Sequence, residues 1–227
     1  DYATVKYNAS GCDQWVARYV GPGNNFDVAY AIALDSSGNV YVTGYSASGT
    51  GYDYATVKYN ASGVQQWVAR YNGPANLYDG ASAIALDGSG SVYVTGSSYA
   101  SGTYGGYATV KYNASGAEQW VARYDGTGND CATAIALDGS GDVYVTGSSY
   151  DSSTSNDYET VKYKASGIQQ WVARYNGPAN LDDEASAIAL DGSGNVYVTG
   201  YSGDTLRSGF FFPIEEFDYA TVKYNTS

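Results

Sequence analysis

The sequence predicts an all-β protein, a β-propeller built from four repeats of about 52 residues with four antiparallel strands per blade. Three observations carry this. The string WVARY begins at Trp15, Trp67, Trp120 and Trp171, at spacings of 52, 53 and 51 residues. Three more strings keep step with it: AIALD from Ala31, Ala83, Ala134 and Ala187, VYVTG from Val40, Val92, Val143 and Val196, and YxTVKY from Tyr2, Tyr54, Tyr107, Tyr158 and Tyr219. No segment keeps a helical period, and every string is short and rich in Val, Ile, Thr, Tyr and Trp, which suit a pleated, packed surface.

In chain order, AIALD is strand A. Ala83 and Ala85 lie on one parity and Ile84 and Leu86 on the other, so both of its faces are apolar and it is placed innermost, where neighbouring blades crowd closest. VYVTG is strand B, joined to A by Ser-Ser-Gly-Asn or Gly-Ser-Gly-X, which supply the left-handed positions of a tight hairpin. YxTVKY is strand C and QWVARY the outer strand D, joined by Asn-Ala-Ser-Gly or Lys-Ala-Ser-Gly. Lys58 and Arg70 sit on these outer strands, where long stems can reach water. The repeats run 30–71, 82–124, 133–175 and 186–224, with an insert at 203–217 where the last interval stretches to 61 residues. The chain opens on strands C and D and closes on A, B and C. Residues 1–19 are therefore expected to complete the blade begun by 186–201, giving four blades with the termini sharing one. Seventeen strands leave one strand C too many, so either 1–7 or 218–224 is displaced.

Composition excludes several functions. A net charge of −12 with eleven Lys and Arg excludes nucleic acid as a partner. No apolar run is long enough for a membrane helix, so membrane insertion is not expected. The absence of His removes imidazole bases and His-metal sites. Cys12 and Cys131 are the two cysteines, without a CxxC pair, so no zinc site is expected.

The stretch DSSGNVYVTG (35–44), followed by YATVKYNASGVQQWVARYNGP (54–74), resembles the bacterial β-propeller repeat called the seven-bladed propeller (SBBP) repeat. The A–B hairpin is also similar to NHL-type repeats. The resemblance implies a secreted or cell-surface protein and carries no catalytic motif.

Strand alternation puts the A–B and C–D hairpins on one side of each blade and the variable B–C and D–A loops on the other. Asp27, Asp79, Asp130 and Asp183 share one repeat position on the variable side; such oxygen ligands would suit calcium, and bonding to loop amides or pairing with Arg18, Arg70, Arg123 and Arg174 is the structural alternative. Asp35, Asp87, Asp138 and Asp191 close strand A and read as turn caps. Asn8, Asn60 and Asn113 begin N-x-[ST] sequons inside C–D hairpins, which makes them candidate glycosylation sites as well as turn residues. In the insert, Phe210, Phe211, Phe212 and Ile214 form an apolar cluster that either covers its own blade or docks a partner. Cys12 and Cys131 fall on opposite sides of a blade, so any disulfide between them is expected to be intermolecular. The reading is a non-enzymatic extracellular structural or interaction module with no cofactor (calcium being the one candidate), whose partners are other copies of itself or other surface proteins. The alternative is a glycan-binding, lectin-like propeller using Tyr-bearing loops, and the third a carboxylate-based polysaccharide hydrolase or lyase.

Overall fold

The computed structural model describes residues 1–23, 25–49, 51–100, 104–208 and 213–225. Among them the four strings of the repeat become strands, and every sheet is an antiparallel meander. A two-stranded sheet pairs β1 (Tyr2–Tyr7) with β2 (Asp13–Tyr19). Four-stranded sheets follow: β3 (Asp27–Leu34), β4 (Val40–Ala47), β5 (Tyr52–Tyr59) and β6 (Gln65–Tyr71); then β7 (Asp79–Leu86), β8 (Val92–Tyr99), β9 (Gly105–Tyr112) and β10 (Glu118–Tyr124); then β11 (Asp130–Leu137), β12 (Val143–Asp151), β13 (Ser155–Tyr163) and β14 (Gln169–Tyr175). A three-stranded sheet of β15 (Asp183–Leu190), β16 (Val196–Ser208) and β17 (Pro213–Tyr224) ends the chain.

Each A–B and C–D hairpin has a glycine at its left-handed corner, and all but the one that carries Lys164 have an acceptor side chain at the mouth. Asp35 Oδ1 accepts from the Ser37 and Asn39 amides at 2.9 Å each, its Oδ2 accepts from Tyr41 at 3.1 Å, and Gly38 turns the chain at φ 77°. Asp87, Asp138 and Asp191 repeat this arrangement. Bonds from Asn195, then Ser193 and Tyr197, hold the Asp191 carboxyl down at about 2. Asn8, Asn60 and Asn113 cap the C–D hairpins in the same way, each Oδ1 accepting two backbone amides. Strand A carries a bulge at Ala29/Ala31 and its equivalents, opposite the glycine of VYVTG. A Cβ on Gly44 would collide with the Val28 carbonyl, so the bulge requires glycine there.

The chain divides into two compact units, Asp1–Thr103 with Ala108–Val121, and Tyr104–Tyr107 with Ala122–Ser227. In each, the core lies between successive sheets. In the first, Tyr41, Tyr54, Tyr71, Val92, Val94 and Tyr112 are buried together, with Trp67, Ile84 and Leu86 packed against them. In the second, Tyr144, Tyr158, Val196 and Val198 are buried, with Trp171, Ile188 and Leu190 packed on them. Polar stitches cross the same boundaries. In the first unit the Tyr2 hydroxyl donates to the Ala55 carbonyl at 3.0 Å and the Tyr54 hydroxyl to Ala108 at 3.1 Å. In the second, Tyr107 donates to Glu159 at 3.2 Å and Tyr158 to Ala220 at 3.3 Å. Each of these carbonyls also accepts from the Thr of its own strand B: Thr43, Thr95, Thr146 and Thr199. Trp15 Nε1 donates to Ala61 O and Trp67 Nε1 to Ala114 O, seating each indole on the next sheet's C–D turn.

Three expectations change. Among the described residues β17, one of the two copies of strand C left open, lies beside β16, and β1 pairs with β2 in a separate sheet, so residues 1–19 do not complete the blade begun by 186–201. Both copies of strand C have the sequence YATVKY, but only β17 is continuous with β16, and its pairing runs on through the insert to Ser208↔Pro213. Strand A is half-buried, and the deepest residues lie on B and C, because those are the central strands of each four-stranded sheet. Arg70 and Lys58 do not point outward: Arg70 turns onto Asp53 at 2.9 Å, and Lys58 lies over the Tyr41 ring at 4.9 Å.

The Tyr hydroxyl stitch gives a paired expectation. Tyr54→Phe removes one buried bond and should lower stability by about 1 kcal/mol. Tyr219→Phe, at the same repeat position but 87% exposed, should leave it unchanged. Urea unfolding of both variants measures the difference.

Candidate functional site

The repeated positions build the scaffold, so a site is sought where one repeat departs from the others. The clearest departure lies in the first unit, on the side of the variable loops. Tyr30 stands where the other repeats have Ser82, Thr133 and Ser186; Tyr52 stands where they have Gly105, Asn156 and Phe217. Tyr45 stands where two repeats have Ser97 and Ser148 and the last has Tyr201, and Tyr78 stands where the others have Phe26, Asn129 and Asp182. With Tyr99 these rings form one contiguous group. Tyr45 contacts Tyr30 at 5.7 Å, Tyr52 at 5.1 Å and Tyr78 at 5.7 Å between centroids, and Tyr78 reaches Tyr52 at 5.9 Å and Tyr99 at 6.3 Å.

Backbone bonds between the loops hold the group. Tyr99 N donates to Tyr78 O and Ala47 N to Phe26 O, which clips each D–A connection onto the end of strand B, and Tyr52 bridges to Tyr78. Burial and the adjoining Tyr30 hydroxyl raise the Tyr45 phenol above its ordinary range, so it stays a neutral donor. Tyr30 is 59% exposed and Tyr78 39%, with Phe26 and Leu77 exposed beside them. The result is an aromatic surface with hydroxyls on rigid supports. The sequence pointed to Tyr-bearing loops on this side but not to this group, because its members come from two successive repeats and the connection between them; the signal was the departure of Tyr30 and Tyr78 from their repeat positions.

The four Asp of the expected cation ring are each engaged within their own loop. Asp27 Oδ2 accepts from Gly21 N at 2.9 Å, Asp79 from Gly73 at 2.7 Å, Asp183 from Gly177 at 2.6 Å, and Asp130 from Gly126. The Arg of strand D goes elsewhere: Arg70 to Asp53, Arg174 to Asp157, and Arg123 to Asp125, which occupies the space that Gly106 leaves where the other repeats have Asp53 and Asp157. Among the described residues no three His, Cys, Asp or Glu side chains gather to hold a metal ion. Among the described residues Cys12 and Cys131 form no disulfide, and both are exposed. Asn8, Asn60 and Asn113 sit in their turns as capping residues. Phe210, Phe211 and Phe212 lie outside the described residues; the backbone of Ile214 pairs with Arg207 in the β16–β17 hairpin.

Among the described residues Glu159, at the variable position of YxTVKY, is the one buried carboxylate without a repeat equivalent. The other four copies have Ala3, Ala55, Ala108 and Ala220 there. Its side chain is 3% exposed and lies 3.6 Å from Arg174 Nη1, while Arg174 Nε binds Asp157 at 2.6 Å. Burial pushes Glu159 up to about 7 against the opposing pull of Arg174, and Asp130 and Asp157 are raised by burial too. Glu159 is thus enclosed beside Arg174, away from the surface.

Residues 14–52 and 170–206 match the family model of the SBBP beta-propeller repeat. It is similar to the Regulatory protein FlaEY of Caulobacter vibrioides, 30% identical over 113 residues, and to the Uncharacterized WD repeat-containing protein L264 of Acanthamoeba polyphaga mimivirus, 31% identical over 120 residues. These matches take in 44% and 41% of this chain, and 12% and 8% of those proteins. Among solved structures it resembles a eukaryotic initiation factor (TM-score 0.45, 11% identity, 78% of this chain and 43% of that one). It also resembles a fucose lectin from Kordia zhangzhouensis in complex with methyl-fucoside (TM-score 0.39, 16% identity, 64% of this chain and 98% of that one).

Glu159 sets a pH dependence. Between its ordinary 4.5 and about 7 the folded chain holds a proton that the unfolded chain has released, so stability falls as pH rises through that window and levels off above it. Glu159→Gln should remove most of that fall, by at most about 3 kcal/mol at 1.36 kcal/mol per pKa unit. Urea midpoints at the two ends of the window check it; an equal fall in both proteins would mean that Glu159 ionises as freely folded as unfolded.

Proposed function

We propose that the chain is a non-enzymatic interaction module of an extracellular or cell-surface assembly, and that the tyrosine group on the variable loops is its docking surface. The observation that carries this is the concentration of Tyr30, Tyr45, Tyr52, Tyr78 and Tyr99 in one partly exposed group. Tyrosine offers large contact area at a small entropic cost and a hydroxyl for orientation, which is why it is enriched where proteins meet. The backbone bonds between the loops fix the rings before a partner arrives, so little ordering remains to oppose binding.

The same chemistry favours a second reading. Flat phenol rings with free edges stack on the apolar face of a sugar while their hydroxyls meet its polar rim, so a glycan is the alternative ligand for this surface. Catalysis is not part of either reading: the chain has no His, and Glu159 is enclosed.

Replacing Tyr30 and Tyr45 with Ser and Tyr78 with Asn restores the residues of sister repeats, so the fold should survive with an unchanged circular dichroism spectrum. Retention of the wild type on cell-surface protein, lost in the triple variant, supports protein docking; retention on a glycan array, lost in the same variant, supports the glycan. Binding equal in wild type and variant would overturn the assignment of the surface, and turnover of polysaccharide would overturn the non-enzymatic reading.

No cofactor is required by this reading. Because each repeated Asp already accepts a loop amide, chelator should leave the melting temperature unchanged and added calcium should not raise it. A rise with calcium in a thermal scan would restore the cation ring as a binding site.

A further inference from the structure

Lys58 lines a cavity of the first unit without an acid to pair with. The Lys of YxTVKY lies over the Tyr ring of VYVTG in its own sheet, at 4.9 Å from the centroid for Lys58, 4.8 Å for Lys111, 5.0 Å for Lys162 and 5.3 Å for Lys223. Lys162 also pairs with Asp142 at 3.0 Å, which shows what this ammonium does when a carboxylate is within reach. Asn39, Ser91 and Asn195 stand at the position of Asp142 in the other repeats, and Asn39 donates instead to Asp35 Oδ2 at 2.7 Å. Among the described residues Lys58 therefore forms no ion pair. The cavity has a volume of about 460 Å³ and lies between the A–B turns of the first two repeats, with every lining residue in the first unit. That volume is in the range of small-molecule sites.

The lining is polar and held in place before a ligand arrives. Tyr41 is 0% exposed and its hydroxyl donates to Asp35 Oδ2 at 3.1 Å, so the Lys58 ammonium rests on a fixed ring. Asp35 and Asp87 stand on the two turns, and Ser37 and Ser89 add hydroxyls. Burial opposes ionisation of Asp87, but bonds from Ser89 and Ser91 hold its carboxyl down at about 2. One cation and two anions thus border the same space without pairing with one another. A bare anion would meet Lys58 only while facing two carboxylates, and a bare cation would meet the carboxylates only while facing Lys58. A molecule that carries both an acid and hydrogen-bond donors satisfies all of these groups at once. We propose that this cavity binds a small carboxylate that also carries hydroxyl or ammonium donors, with its carboxylate on Lys58 and its donors toward the two aspartates and the serine hydroxyls. A sugar acid and an α-amino acid share this chemistry. The cavity is on the A–B hairpin side of the sheets and uses none of the tyrosine group on the variable loops, so it stands or fails separately from that docking surface.

Titrations followed by amide chemical shifts test it, with D-glucuronate and L-serine as probes and acetate and D-glucose as controls. At least one probe should bind saturably and shift amides of the 35–39 and 87–91 turns, and which one does so separates the sugar acid from the amino acid. Acetate lacks the donors and glucose lacks the acid, so each should bind at least about tenfold more weakly than that probe. Lys58→Met keeps an apolar stem over Tyr41 and removes the charge. Asn39→Asp introduces the acid that repeat three has in Asp142, and should draw Lys58 into the same ion pair. Each variant should keep the wild-type circular dichroism spectrum and weaken binding at least about tenfold. Failure of both probes to bind the wild type would overturn the proposal. So would binding undiminished in either variant, or glucose or acetate binding as tightly as the probes.

Discussion

A tyrosine hydroxyl that crosses from one sheet to a backbone carbonyl of the next is the contact on which the arrangement depends. Tyr2, Tyr54, Tyr107 and Tyr158 each make it. It joins two otherwise competing requirements. A Tyr ring at this position supplies a large apolar area to the core between sheets, but a buried phenol without a partner is costly. The carbonyl supplies that partner while keeping its bond from the strand B Thr, so both of its lone pairs are used. The geometry fixes the register of one sheet on the next. That explains why YxTVKY tolerates Ala or Glu at its second position, where the carbonyl matters, but keeps Tyr at its first.

The internal repetition made the strands, the turns and their caps legible, because these depend on local chemistry: alternation, a left-handed glycine and an acceptor at the hairpin mouth. Asp35 and Asn60 did what their turn positions implied. What the repeat could not convey was competition between identical strands. Residues 2–7 and 219–224 share one string, and chain continuity through the β16–β17 hairpin decides which of them lies beside β16. Departures from the repeat were equally hidden while attention stayed on what recurs. Glu159 in place of Ala sets a second acid beside Arg174, which Asp157 already binds, whereas Gly106 with Asp125 in place of Asp with Asn is a paired change that keeps Arg123 neutralised; only the fold shows the partners.

Close packing and variation are separated along each repeat. Strands B and C, with their Tyr, Thr and Val, are enclosed by the neighbouring sheets and have little freedom to change. The loops between B and C and between D and A carry no such load beyond a few backbone clips, and there the first unit has gathered its tyrosines. A surface of this kind can be altered without disturbing the stitches beneath it, which suits a scaffold that presents different ligand surfaces on a constant frame.

The central claim is that a neighbouring sheet, not the strand's own sequence, confers stability on strand C. Amide hydrogen exchange tests it most directly, because YATVKY occurs both at 54–59 between two sheets and at 219–224 with one side open. At a concentration where the chain is monomeric, the account predicts that amides of 54–59 exchange only with global unfolding, while those of 219–224 exchange far faster through local opening. Equal protection of the two identical strings would contradict it.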